Sequence, residues 1–446
     1  MMRRCKIVAL LPVILFVCRL NAQNNAVKHA FDIHQCIEYS DKNNVQVKNA
    51  LLAVKIQEQS NREITSAALP NLSGSLGLTD YLEIPTTLIP GQFFGGQPGT
   101  FEPVQFGTKY NSAASLQLQQ VLFDGQVFVG LQARAASLEY QRKNVEVTQE
   151  NIKANIYKIY YQLVVSKTQV SLLDANIERL QKLKHDETIM YKNGFAEKLD
   201  IDKVAVQLAN LQTQKLKTLN TIEIGYLGLK TLLGMPVKDT LELTDNISEE
   251  KIKNGLLDSA YQYTDRKEYQ YLDVVKRLNE FNIKRYKLSY YPSVALTGVY
   301  SKSAQRTQFD IFGKGDWYTT SYLGVNISIP IFDGFAKDSR INQAKYTLLQ
   351  TNNQISDLKL NIDNQVKQAR LNFETAIATL DNQEENRKLA ESVYNQTKKK
   401  YETGTGSNLE ITNAQTDLIT AETNYINSMY DAVIAKVDYF KAIGKL

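Results

Sequence analysis

Side chains able to do chemistry are scattered through this chain rather than gathered. His29, His34 and His185 stand apart, without the helical spacing that lets two imidazoles share a metal ion. There is no Cys-x-x-Cys pair, no nucleophile elbow and no phosphate loop. Gly404-Thr405-Gly406-Ser407 has the glycines of a phosphate cradle, but it lacks the lysine and joins helix to helix. Glu384-Glu385 falls mid-helix and reads as a solvated face. No catalysis, metal or cofactor is expected.

The reactive side chains instead fall where helices begin. Residues 121–126 read Val-Leu-Phe-Asp-Gly-Gln and residues 330–335 read Pro-Ile-Phe-Asp-Gly-Phe. At both, an alternating strand-like run stops and a very long helical pattern starts. Asp124 and Asp333 suit an N-cap, since a short carboxylate accepts the free amide protons of a first turn. Gly125 and Gly334 let the chain change direction. The next glycines able to end these helices are Gly194 and Gly404. Each span is therefore about 70 residues, roughly 100 Å of helix. Asp200 and Glu410 lie in the first turns of the helices that follow, where the helix dipole favours acidic groups.

The elements around these junctions follow one plan, stated twice. After residues 1–22, the first repeat covers 23–234, with strands at about 72–80 and 110–122 and long helices at about 127–193 and 199–233. A connector, 235–264, follows. The second repeat covers 265–446, with strands at about 293–301 and 317–331 and long helices at about 335–402 and 409–443. Phe123 and Phe332, Gly194 and Gly404, and Gly234 and Gly444 recur about 210 positions apart, the mark of a tandem duplication. Val145, Ile152, Ile156, Ile159, Leu163, Val170, Leu173, Ile177 and Leu180 form a heptad seam, repeated from Ile355 to Leu380, so the long helices pack as coiled coils. The first helix is expected as one piece over 32–67. The Pro- and Gly-rich stretch from Glu83 to Gly107 is expected to be an irregular tip.

Arg3, Arg4 and Lys6 precede an apolar run from Ile7 to Val17, with a cleavage point after Ala22: a secretory signal peptide, too short to span a membrane. Leu15-Phe16-Val17-Cys18 departs from a lipoprotein site because Val17 is bulky. Removing Arg3, Arg4, Lys6 and Arg19 from 52 Lys and Arg leaves 48 against 47 Asp and Glu, so nothing in the charge calls for nucleic acid. Cys36 alone remains in the mature chain and reads as a buried small hydrophobe.

Trp317, Leu323, Val325, Ile327 and Ile329 share one strand face opposite Gly324, Asn326 and Ser328, and Leu116 and Leu118 map onto Val325 and Ile327. Strands of about ten residues with one apolar face suit a membrane barrel, lipid outside and water within. Four strands cannot close around a water-filled lumen, whereas three chains would supply twelve. The competing reading is a secreted or periplasmic structural coiled-coil or adhesion protein without a pore. It explains the heptads and the leader but not the two one-sided hairpins.

Over essentially the whole mature length, the chain resembles the TolC family of outer-membrane efflux proteins. The marks are Asn43-Asn44, Leu69-Pro70-Asn71-Leu72, Phe123-Asp124-Gly125 and Tyr191-x-x-Gly194. In the second half they are Tyr291-Pro292-Ser293-Val294, Pro330-Ile331-Phe332-Asp333-Gly334 and Tyr401-x-x-Gly404. The resemblance implies a mainly α fold with a β-barrel portion. In it, a homotrimer builds a twelve-stranded transmembrane β-barrel among outer-membrane lipid, continued by a long periplasmic α-helical coiled-coil barrel. It also implies a Gram-negative host and the passive exit duct of a tripartite efflux or type I secretion system. The partners it implies are a periplasmic adaptor and an inner-membrane efflux pump or ABC exporter.

The family's gate residues carry over position by position. A carboxylate after the first turn glycine and a tyrosine before the second, bonded in the family, are Asp200 and Tyr401 here. Two acidic positions after the second turn glycine are Glu410, which keeps the charge, and Asn413, which does not. An arginine of the gate is replaced by Gly406, so the resemblance implies a weaker or differently built lock and reduced cation binding at the constriction. Three copies of Glu410 around an axis would repel and favour cations. The resemblance implies that the helical turns at Gly194, Phe195, Gly404 and Thr405 dock the adaptor.

Overall fold

The structure, a computed structural model of the chain, describes residues 27–245, 249–253, 260–310 and 315–446. The expected signal peptide and Cys18 lie outside the described residues.

A short strand β1 (Lys28–Phe31) precedes α1 (Ile33–Asn43) and α2 (Val45–Ser66). The single helix expected over 32–67 is broken at Asn44. Asn44 turns the backbone to φ −59°, ψ 132° and caps α2 by accepting from the amides of Gln46 and Val47. Its own amide donates to the Leu232 carbonyl at 2.6 Å, so the break is anchored on a distant helix.

Next come β2 (Asn71–Asp80), β3 (Thr86–Pro90), a single 3₁₀ turn, β4 (Phe101–Gln105) and β5 (Tyr110–Phe123). The stretch from Glu83 to Gly107 is not irregular throughout, because β3 and β4 pair as an antiparallel hairpin with Leu88 opposite Pro103. Each strand of a two-stranded ribbon has one free edge, where a proline costs no ladder bond.

From Gly125 the chain runs without interruption to Lys192 as α3, then turns into α4 (Lys198–Leu233). Asp124 caps α3, accepting from Gln126 and Val127 amides at 2.7 and 3.2 Å. Gly125 is there for closeness rather than for a special dihedral: a Cβ would lie 2.7 Å from Leu288 Cβ and 2.8 Å from its carbonyl.

β6 (Thr240–Leu243) ties the connector back to the N-terminus by pairing in parallel with β1, Lys28 opposite Thr240. The second half holds α5 (Glu249–Lys253), α6 (Lys267–Leu288), β7 (Ser293–Arg306), β8 (Tyr318–Ser328), α7 (Ala336–Glu402) and α8 (Asn408–Ala442). Here the Phe-Asp-Gly junction corrects the N-cap expectation. Gly334 and Phe335 both adopt left-handed φ of 64°, α7 starts at Ala336, and Asp333 accepts from the Lys337 amide at 3.0 Å. Asp333 thus serves a first turn displaced from it by two residues.

β2, β5, β7 and β8 form one antiparallel sheet in the order β2-β5-β7-β8. Below it α2 packs on α3, α3 on α6 and α6 on α7; farther down, α7 packs on α8, α8 on α3 and α3 on α4. Leu173, Leu180, Val204 and Leu211 fill the seam of the α3/α4 hairpin. Ile411, Ala414 and Leu418 of α8 with Tyr394 of α7 fill the other. Each fully buried Leu or Ile contributes about 1.5–3 kcal/mol. A larger core between sheet and tips collects Cys36, Val47, Ile156, Tyr160, Leu163, Leu229 and Leu233.

Candidate functional site

Two regions of the chain carry unpartnered edges or exposed apolar side chains, the sheet and the helical tips. The sheet's register sorts its side chains by face. Leu72 pairs with Leu118, Gly74 with Leu116 and Leu116 with Tyr300; Leu296 pairs with Val325 and Gly298 with Leu323. These rows make one apolar face, and Leu72, Leu76, Leu323 and Val325 are exposed on it. The other face carries Ser75 beside Ser115, their hydroxyls 2.8 Å apart, then Ser301 and Thr320. At the ends of the sheet, β2 and β8 each leave one edge without a partner among the described residues.

At the tips, Gly194 (φ +79°) and Gly404 (φ +71°) close α3 and α7 in left-handed turns. The Phe195 amide bonds back to Met190 at 2.8 Å and the Thr405 amide to Lys400 at 2.9 Å. Phe195 and Leu409 stand exposed on these turns. Ser407 caps α8 reciprocally with Glu410: the Glu410 amide donates to the Ser407 hydroxyl at 3.2 Å, and the Ser407 amide to the Glu410 carboxylate at 3.3 Å. Glu410 and Asn413 are both exposed, and Asp417, also exposed, follows at helical spacing on their face.

The expected Asp200–Tyr401 bond is not formed. Asp200 accepts from the Glu197 amide at 3.4 Å and meets Lys203 at 3.5 Å, so it is occupied with the start of its own helix. Tyr401 donates instead to Glu187 of α3, and Asn408 of α8 donates to the same Glu187 oxygen. Glu187 is 0% exposed, and its second oxygen has no partner among the described residues. Burial first, and then the bond onto Glu187, push the Tyr401 phenol far above its ordinary range. One carboxylate thus ties together α3, α7 and α8. Sequence reasoning missed it, although Glu187 follows Leu180 by one heptad, a polar residue on the apolar seam.

A second buried polar group lies higher on the α3–α8 contact. The Asn176 amide donates to Glu422 at 2.6 Å, Arg179 pairs with Glu422 at 3.0 Å, and Gln415 donates to Asn176 at 3.1 Å. Along its lower part, the seam between the two helical hairpins combines these hydrogen bonds with apolar contacts from Leu183 of α3 and Ile419 of α8.

The family model for the outer membrane efflux protein (OEP) matches residues 281–445. The outer membrane protein TolC of Escherichia coli strain K12 is 20% identical over 351 residues, covering 75% of this chain and 70% of that protein. The outer membrane efflux protein BepC of Brucella suis is 20% identical over 414 residues, covering 91% of this chain and 83% of that protein. Over residues 281–445 and against these relatives, the chain is similar to outer-membrane efflux proteins of the TolC family. In fold it matches the Campylobacter jejuni CmeC outer membrane channel at a TM-score of 0.73 and 17% identity, covering 93% of this chain and 85% of that one. These similarities support an outer-membrane efflux protein rather than the pore-free coiled coil.

Proposed function

We propose that three copies of the chain close their sheets edge to edge into a twelve-stranded barrel in the outer membrane. Their long helices continue that barrel into the periplasm. The assembly is the passive exit duct for cargo handed over by an inner-membrane pump or exporter through a periplasmic adaptor. One observation carries this reading: a four-stranded sheet with one apolar face and two unpartnered edges runs straight into helices about 100 Å long. An open edge is untenable in lipid, where each unpaired backbone group costs several kcal/mol.

The helices support the same closure. In the lower part, α4 and α7 lie at the two ends of the order α7-α8-α3-α4. Both expose apolar side chains that the lone chain leaves bare: Val206, Leu216 and Leu227 on α4, Leu371, Leu389 and Val393 on α7. An α4 stripe covered by the α7 stripe of the next copy would remove both from water. The two halves act as duplicated units in this scheme, each giving two strands and two long helices to the ring.

The helical turns at Gly194-Phe195 and Gly404-Thr405 form the entrance and contact the adaptor. Glu187, held by Tyr401 and Asn408, keeps the tips together. Glu410, with Asp417 and the uncharged Asn413 on the same face, sets the charge of the constriction. Reconstitution of the mature protein into planar bilayers tests the duct. Discrete single-channel steps are expected, and silent bilayers at protein loads that insert would refute it.

A further inference from the structure

The four strands contain three charged side chains, Asp80, Lys302 and Arg306. Register places all three on the apolar face. Lys302 pairs with Ala114, which pairs with Leu76, while Arg306 and Asp80 both pair with Tyr110. Asp80 and Arg306 share the row farthest from the long helices, where an outward face meets water and lipid headgroups, and Lys302 lies two same-face rows nearer the helices. The opposite face has hydroxyls, amides and phenols: the row Ser75, Ser115, Ser301 and Thr320, with Gln117 and Tyr322 in the next. No Asp, Glu, Lys or Arg of these strands registers on it.

We infer that the exit barrel is a charge-blind sleeve, lined by uncharged hydrogen-bonding groups, that passes anionic, cationic and neutral polar cargo alike. Any sorting by charge is left to the helical entrance. This rests on the closed-barrel reading above, which turns the apolar face to lipid and the polar face to the lumen. The physical basis is the strength of a charged ring in such a place. A single acidic residue per copy becomes three like charges around a narrow, low-dielectric-walled pore, enough to set potentials of several kT and exclude one sign of cargo. The strands avoid that on every inward position. Neutral hydroxyl and amide groups still exchange hydrogen bonds with a passing polar solute, so the sleeve stays wet without holding its cargo.

Cysteine accessibility reads this directly. Cys36 is buried, with its thiol pushed up to about 12, and contributes no background reaction at neutral pH. Thr320→Cys and Gln117→Cys, in the assembled protein in membranes, are treated with a cationic and an anionic methanethiosulfonate. The ratio of their rates, divided by the ratio for a free thiol, measures the local potential. A corrected ratio within about twofold of one at both positions is expected, a potential below about RT. Ser301→Asp beside Thr320→Cys is the sensitivity control, and should raise the cationic rate at least tenfold relative to the anionic. A corrected ratio beyond tenfold in the chain without added charge overturns the inference. The barrel reading fails separately: Thr320→Cys and Gln117→Cys would then stay inert while Leu323→Cys on the apolar face reacts.

Discussion

Tyr401, at the end of α7, gives its hydroxyl hydrogen to Glu187 on α3, and Asp200 takes no part in that bond. In the proposed duct, this pairing would move the expected lock from the beginning of α4 into the α3 seam. It also brings in a third helix, since Asn408 of α8 donates to the same carboxylate. A buried carboxylate with two donors on one oxygen and, among the described residues, none on the other is a contact that depends on both donors staying in place.

Removing a donor from this carboxylate is expected to loosen the tips. A hydrogen bond to a charged group contributes about 1.5–3 kcal/mol, so Tyr401→Phe should shift the closed-to-open balance roughly tenfold or more. Glu187→Gln should do likewise, and the double variant should fall short of the sum, because both remove one interaction. Asp200→Ala should leave single-channel open probability near the parent value. An Asp200→Ala channel as open as Tyr401→Phe would return the lock to Asp200.

The two Phe-Asp-Gly junctions should respond differently to the same substitution. Gly125→Ala forces a methyl into Leu288, and overpacking of that kind costs about 1–3 kcal/mol. Gly334→Ala meets no atom within 4 Å and bears only the left-handed backbone penalty at φ +64°, about 1–2 kcal/mol. Chemical denaturation of each variant should show this, with Gly125→Leu far worse than Gly125→Ala and Gly334→Asn close to the parent.

Much of this architecture is legible from the residues. Helix ends are marked by Gly194 and Gly404, whose positive φ few other residues accept, and helix faces by the heptads. The sheet's faces follow from period-two alternation. Other features depend on partners far away in sequence. The break at Asn44 is anchored by Leu232, and β1 is a strand only because β6 lies beside it. Pro90 and Pro103 argue against strands until a ribbon with free edges accommodates them. Asp124 and Asp333 sit in the same tripeptide, yet Phe335 in a left-handed conformation displaces the second helix start. Glu187 was hidden because a seam residue is expected to be apolar.

Glu422 should matter more to stability than to conduction. Glu422→Ala strands Asn176 and Arg179 in a buried seam, and breaking such a pair costs about 3–5 kcal/mol. Glu422→Gln keeps an acceptor for Asn176 and should lose less. Thermal denaturation of the assembled protein ranks the two. Equal melting temperatures would remove the seam from the stability account.

Cys36 gives an alkaline signature. Burial, and then repulsion from Asp32 and Asp245, raise its thiol from 9.0 to about 12. The unfolded thiol ionises first, so the stability the neutral thiol provides is intact below pH 9 and is lost as pH rises toward 12. Cys36→Ala should flatten that part of the alkaline decline in melting temperature. An unchanged slope would show that Cys36 does not govern it.

Mass and shape of the mature protein extracted from outer membrane in detergent test the central claim most directly. Closure of unpartnered sheet edges and helix stripes predicts a heat-resistant complex of three chains, elongated, with about 100 Å of its length helical. A monodisperse single chain that stays soluble without detergent would contradict it.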